Sequence, residues 1–383
     1  MKRIYFLLII IASLNTTIKA QINIPTYLRV DTPDSSKTLL LASLDTLFKT
    51  ISTGKTPTNI TTGKNAKLTA SILGSFKGLE VNEKTKQADF YKKQLINCYS
   101  LDSNNFALSM AYIALQQDSL PKLKNIIALN AHIENKHVTY SLPLQYLTTN
   151  WTLKKVGGIT YHYTGKFSAS VAAGFNRTNS EIAKKLSLPT EQFDFYLCDN
   201  YQQILTLLGY TYDVDSNGRT RDGYGVDANT IFSIMHSEDF SHDLVHYYIS
   251  KIRTAPRNTF AEEGLAYYWG NAYYTNNEGL MITQQTLVKA LRKYLLEHPE
   301  VTLLSLFKNN PKVFNEYARE LSVRSVIAGI ICAKVEKEKG VAGIKELVNC
   351  GRGDDNFYKA INKLVNITET NFDEVLRQQA FGN

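Results

Sequence analysis

Cysteine and proline are scarce in this chain, with 4 and 9 residues among 383. The cysteines, at 98, 198, 332 and 350, are too few and too scattered to staple a fold. They show no C-x-x-C spacing, so a zinc-thiolate or redox motif is absent. A Cys332–Cys350 bridge stays open, although Cys332 sits in an apolar helical run and reads as a buried thiol. No repeat is visible at a period of roughly 20 to 50 residues, which removes solenoids and propellers. There is also no dense Lys/Arg run, and so no electrostatic footprint of a nucleic-acid-binding surface.

What is present is ordinary globular composition, 44% hydrophobic and 20% charged, which rules out collagen-like, coiled-coil-only and wholly disordered chains. The length suits two domains. Lys2 and Arg3 open a basic start, residues 4–14 are apolar, and Ala20 closes a short polar stretch. That pattern predicts a secretory signal peptide over 1–20, cleaved before Gln21. An apolar run of 11 residues falls well short of the roughly 20 that span a bilayer. The expected mature chain therefore has no stable membrane span, is exported to the periplasm or medium, and lacks the cysteine of a lipoprotein. Removing Lys2, Arg3 and Lys19 lowers 43 basic residues to 40 against 35 acidic ones, reducing the formal charge from +8 to +5. That is mild for the length, and no nucleic-acid partner is expected.

Leu40, Leu44, Leu47, Phe48 and Ile51 follow helical spacing, and the stretch 53–67 reads as a loop. From about 90 to 163 the pattern turns β-like: Val138, Tyr140 and Leu142 alternate with polar neighbours, and Glu134-Asn135 offers a turn after the apolar run 126–129. The first part, 21–155, is thus a small α+β domain with an antiparallel sheet and no cluster of catalytic residue types. A boundary near Gly157-Gly158 is expected to open a second domain, 156–383, the alternative being a strand that runs through it. There 180–186 reads as helix, 193–197 and 230–234 as strands, and almost everything from Glu238 to Leu376 as helix. Strands followed by helices indicate α+β with a helical C-terminal lobe.

The chemistry concentrates in His242-Asp243-Leu244-Val245-His246. Ser237 can cap a helix there, Glu238 and Asp239 suit its first turn, and Phe240, Leu244, Val245 and Tyr248 supply an apolar face. On such a helix positions i and i+4 lie about 40° apart, so both imidazoles point into one space, as metal binding requires. The plain alternative is a pair of solvated or core-satisfied histidines. A third ligand is expected on a following helix, where Thr259, Glu262, Glu263 and Gly264 stand. Thr259 with Glu262 forms a capping box that accounts for Glu262, which favours Glu263, free to reach across, over Glu262 as the ligand. Gly264 removes a side chain where two helices can pack closely. The other histidines, 132, 137, 162, 236 and 298, show no ligand spacing.

These segments resemble the gluzincin metallopeptidases of the peptidase MA-like group, which carry H-E-x-x-H on one helix and a Glu in an E-G-x-A-x-Y-like motif on the next. Here Glu263-Gly264-Leu265-Ala266-Tyr267-Tyr268 answers that motif in part, with Phe260 near the usual Trp, 17 positions after His246. A long helix over 322–339 ending at Gly340, then short helices over 356–364 and 372–376, add to the likeness. It covers residues 156–383 and implies a thermolysin-like domain with zinc held by His242, His246 and Glu263, and hydrolysis of peptide or protein substrates. The family's general base is the Glu after the first His; this chain has Asp243, a carboxylate one methylene shorter. Asp243 is then either a working base in an exported peptidase or the mark of an impaired, zinc-binding pseudopeptidase serving as a binding module.

Weaker signals remain. Tyr267, Tyr268, Trp269, Tyr273 and Tyr274 read as packing with an edge toward a cleft, and Tyr317 is a conceivable oxyanion donor. Asp213, Asp215 and Asn217 open like a calcium loop, but Tyr224 stands where a bidentate Glu is needed, so a β-turn is expected. Arg352-Gly353-Asp354 reads as loop chemistry.

Overall fold

The computed structural model describes residues 22–26, 28–30, 32–115, 120–216, 223–234, 237–272, 281–318 and 321–382. The expected signal segment 1–20, His236, Tyr273 and Tyr274 lie outside the described residues. The architecture is α+β, an antiparallel sheet followed by a helical C-terminal part, in two compact units. One is Met1–Pro143 with Gly209–Asn217; the other is Leu144–Leu208 with Gly218–Asn383.

In the first unit α1 (Asp34–Ser52) buries Leu40, Leu44, Leu47, Phe48 and Ile51, the stripe that helical spacing predicts. A second helix, α2 (Ala66–Ser75), takes up the end of the stretch read as loop and buries Leu68, Ile72 and Leu73. The sheet follows as β1 (Lys92–Ser100), β2 (Asn105–Leu115), β3 (Pro121–Glu134) and β4 (His137–Ser141), each antiparallel to the next. Asn135 and Lys136 join β3 to β4 with φ of +50° and +63°, the left-handed pair of a two-residue hairpin turn. The Tyr140 hydroxyl donates to Leu40 O at 3.2 Å and ties β4 to α1.

The second unit begins with α3 (Leu144–Leu147), β5 (Thr152–Val156) and β6 (Ile159–Tyr163). Gly157-Gly158 is the turn between β5 and β6 and not a domain boundary, because the two strands pair directly, Val156 opposite Ile159. Gly157 has φ +59°, and a Cβ there would lie 2.2 Å from the Asn176 amide, which explains the glycine. Next come α4 (Ala169–Leu186), β7 (Phe193–Leu197) and α5 (Tyr201–Leu207). The chain then lends β8 (Tyr210–Asp213) to the first sheet, where it pairs antiparallel with β3 over Asn125–Ile127. It returns as β9 (Gly223–Asp227) and β10 (Thr230–Ser233). The second sheet has the order β5-β6-β7-β10-β9, with a parallel centre and antiparallel edges. A parallel neighbour needs a crossover, and α4 supplies it between β6 and β7.

The helical part comprises α6 (Ser241–Ile252), α7 (Thr259–Trp269), α8 (Gln284–Glu297), α9 (Leu303–Asn309), α10 (Val323–Val348), α11 (Asp354–Val365) and α12 (Phe372–Phe381). Gly340, with φ +64°, breaks α10 into two helical pieces at the point where the sequence ends its long helix. Ahead of that break Val326, Ile327, Ala328, Ile331 and Cys332 are all fully buried, so α10 is the central helix of this core. The four cysteines are free thiols, which removes the Cys332–Cys350 bridge. Among the described residues no helix is long and apolar enough to cross a membrane.

Candidate metal centre

Helix α6 is rooted by its apolar face: Leu244, Val245, Tyr248 and Ile249 have no exposed surface. The Tyr248 hydroxyl donates to Asn179 Oδ1 at 2.7 Å and accepts the Glu191 N–H at 3.0 Å, locking α6 onto α4. The expected Ser237 cap is not formed. The helix starts four residues later than Ser237, its cap position is Phe240, and Asp239 just before it accepts the Ser241 N–H at 2.7 Å. Glu238 is likewise not a first-turn residue; it is buried and accepts the Ser168 N–H at 2.6 Å at the start of α4.

Helix α7 is capped by Asn258, whose Oδ1 accepts the Ala261 N–H at 3.2 Å. The expected Thr259–Glu262 box is therefore displaced by one residue. The reason is tertiary: Asn258 Nδ2 donates to Gly351 O and Gly353 O at 2.8 and 2.9 Å, which holds Asn258 in place and absorbs the Arg352-Gly353-Asp354 loop into the fold. Gly264 lets α7 touch α10, since a Cβ there would stand 2.5 Å from Ala328 Cβ and 2.6 Å from its carbonyl carbon. At the other end a Cβ on Gly270 would meet Ser241 O at 2.7 Å, so a glycine is required beside the start of α6.

These constraints bring His242, His246 and Glu263 together, one ligand atom from each lying within 4.8 Å of the other two. The two Nε2 atoms are 3.3 Å apart. Glu263 Oε2 is 3.5 Å from His242 Nε2, and its Oε1 is 3.5 Å from His246 Nε2. Two ligands about 2.1 Å from a tetrahedral ion stand about 3.4 Å from each other, so the donor set and its spacing fit a divalent metal. His242 Nδ1 lies 3.1 Å from Asn271 O, an acceptor that fixes the proton on Nδ1 and leaves Nε2 bare. Asp243, beside the first histidine, has a buried Oδ2 with no hydrogen-bond partner among the described residues. That orphaned oxygen fits a group meant for a donor other than protein.

The electrostatics follow from burial and these contacts. Burial alone would lower the His246 pKa, but the Glu262 and Glu263 carboxylates outweigh it and push it up to about 9. Burial opposes ionisation of Glu263 too, yet His242 and His246 hold it far below the usual carboxylate range. Asp243 is raised by burial, with the two histidines pulling against the shift. Glu262, not a cap, is 1% exposed and paired with Arg253 and with Arg257 Nε, the latter at 2.8 Å. Arg257 Nη2 also donates to Glu263 Oε1 at 2.7 Å.

The sequence reading missed Arg253, Arg257 and Asn271. The one available signal was two arginines in the short link between α6 and α7, just ahead of paired glutamates. Tyr317 sits in a turn, its N–H donating to Phe314 O at 2.9 Å, and packs against the hydrophobic core. Asp213 Oδ1 accepts from the Asn125 amide at 2.9 Å and the Ser216 N–H reaches Asp213 O at 3.2 Å, the expected turn; the rest of that loop, 217–222, lies outside the described residues.

Fold and site together define an α+β chain with a two-histidine, one-carboxylate centre on adjoining helices. No family model matches the chain, and no curated protein does. Among solved structures it is similar to the M1 zinc metallopeptidase from Deinococcus radiodurans, at 10% identity and a TM-score of 0.31, over 76% of this chain and 64% of that one. The chain thus spans a little under two thirds of that protein's length.

Proposed function

We propose that this chain is a zinc-dependent metallopeptidase that hydrolyses peptide bonds in peptide or protein substrates. The observation that carries the proposal is the convergence of His242, His246 and Glu263 at ligand spacing, with the buried Oδ2 of Asp243 beside the first histidine. His242 and His246 offer Nε2, and Glu263 a carboxylate oxygen. A bound zinc ion supplies Lewis acidity, lowering the pKa of water to about 7 and polarising the scissile carbonyl. Asp243 takes a proton from the attacking water and passes it to the departing amine nitrogen as the C–N bond breaks. The basic, apolar and small-residue order of residues 2–20 supports export.

A second reading is favoured by Asp243 itself. A base set back by one methylene can lose on the order of 100-fold, and zinc binding does not depend on it. On this reading the chain is an impaired peptidase that keeps its metal and binds a partner. Asp243→Glu separates the two: a large gain in hydrolysis identifies a crippled site.

Elemental mass spectrometry on the chain from Gln21, beside His246→Ala, tests the metal. One zinc per chain, lost in the variant, is the expected result. Metal-free protein after zinc has been offered would overturn the ligand assignment.

A further inference from the structure

Glu262 is the most deeply buried carboxylate at this site, and two arginines already pair with it. Charge compensation alone explains why it tolerates burial. It does not explain why Glu262 Oε2 also stands 3.5 Å from His246 Nδ1. A neutral imidazole has one N–H, and only when the proton is on Nδ1 is Nε2 bare for a metal. The second group near Nδ1 is Arg257 Nη2 at 3.4 Å, which can only donate. Facing arginine alone, Nδ1 would become the acceptor, the proton would move to Nε2, and the ligand would be lost.

We propose that Glu262 is the positioning residue of His246: its carboxylate accepts the Nδ1–H and so turns a bare Nε2 toward the metal. Arg253 and Arg257 make that buried carboxylate tolerable. Arg257 also holds Glu263 Oε1, leaving Glu263 Oε2 toward His242 Nε2. The two histidines are then oriented by different means, His242 by the Asn271 carbonyl and His246 by a side chain. This inference rests on the metal-centre reading and adds a residue to it.

The test is zinc competition against a chromophoric chelator on the full chain from Gln21, with visible spectra of the cobalt-loaded protein. Glu262→Leu, which removes the acceptor, should weaken zinc binding 10- to 100-fold and shift the cobalt bands in protein that is folded by circular dichroism. Glu262→Gln keeps an acceptor oxygen and should recover most of the affinity and the original bands. Glu262→Asp retains the charge that the arginines need while withdrawing the oxygen. It decides the matter where the leucine variant does not fold, with an expected loss of about 10-fold. A purely structural Glu262 would lower the unfolding temperature and leave zinc affinity and cobalt bands unchanged in the folded variants, which overturns the proposal. If the unmodified chain takes up no zinc, the metal reading falls and this inference with it.

Discussion

At the residue scale, the proposed roles divide between holding a metal and moving a proton, and the two can be separated by substitution. Asp243→Asn keeps the size of the side chain and removes the base. Hydrolysis should fall about 10²- to 10⁴-fold with zinc content unchanged, read by steady-state assay beside elemental analysis. Loss of zinc in that variant would show Asp243 to be part of the metal's support. His242 and His246 were legible because a four-residue step on a helix places two side chains on one face. Glu263 was legible from the E-G-x-A-x-Y likeness and by elimination of Glu262, and the ground for that elimination was mistaken: Glu262 is not a cap but an arginine-paired carboxylate against His246.

At the element scale, the site depends on how closely α7 approaches its neighbours. Gly264→Ala places a methyl into the backbone of Ala328, and overpacking of this kind costs about 1–3 kcal/mol. The expected result is a lower unfolding temperature together with weaker zinc binding, because Glu263 shares that turn. A second tie joins three helices: Glu336 on α10 accepts from Lys185 on α4 and from the Trp269 indole on α7, at 2.7 and 2.8 Å. Burial would raise the Glu336 pKa, but the Lys185 and Trp269 hydrogen bonds outweigh it and lower the value. A carboxylate with a lowered folded pKa contributes stability above the ordinary Glu value of about 4.3, and loses it as the pH falls through the folded value. Glu336→Gln should therefore cost about 0.5–1 kcal/mol near neutral pH, and the gap to the unmodified chain should close in acid. Thermal unfolding at several pH values measures it; a gap that widens in acid would contradict the assignment.

At the scale of the whole molecule, a metal bound at the proposed centre would be linked to the stability of one unit. Both tryptophans of the chain, Trp151 and Trp269, fall within the unit that carries the centre. Tryptophan fluorescence thus reports that unit alone. Zinc at about 100 times its Kd should stabilise it by about 2.7 kcal/mol, and a chelator should reverse the gain. An unfolding curve indifferent to zinc and chelator would argue against a folded-state metal site.

The sequence by itself determined the features whose physics is local. The stripe of α1, the alternation of β4, the break at Gly340 and the i, i+4 histidines all depend on the chain's own periodicity and on one glycine's freedom at positive φ. Tertiary structure decided what required a distant partner. The Gly157-Gly158 turn carries the same local signal as a linker, and only the pairing of β5 with β6 makes it a hairpin. Strand β8 looks like any short β segment, yet it joins the first sheet because β3 has an open edge beyond β4. The cap of α7 moved to Asn258 because carbonyls almost a hundred residues away hold that side chain. The shared face of His242 and His246 was therefore readable from spacing, whereas the groups packed against them, Glu262 with its arginines and the Asn271 carbonyl, were not: each is set by a contact in the folded chain that no periodicity along it encodes.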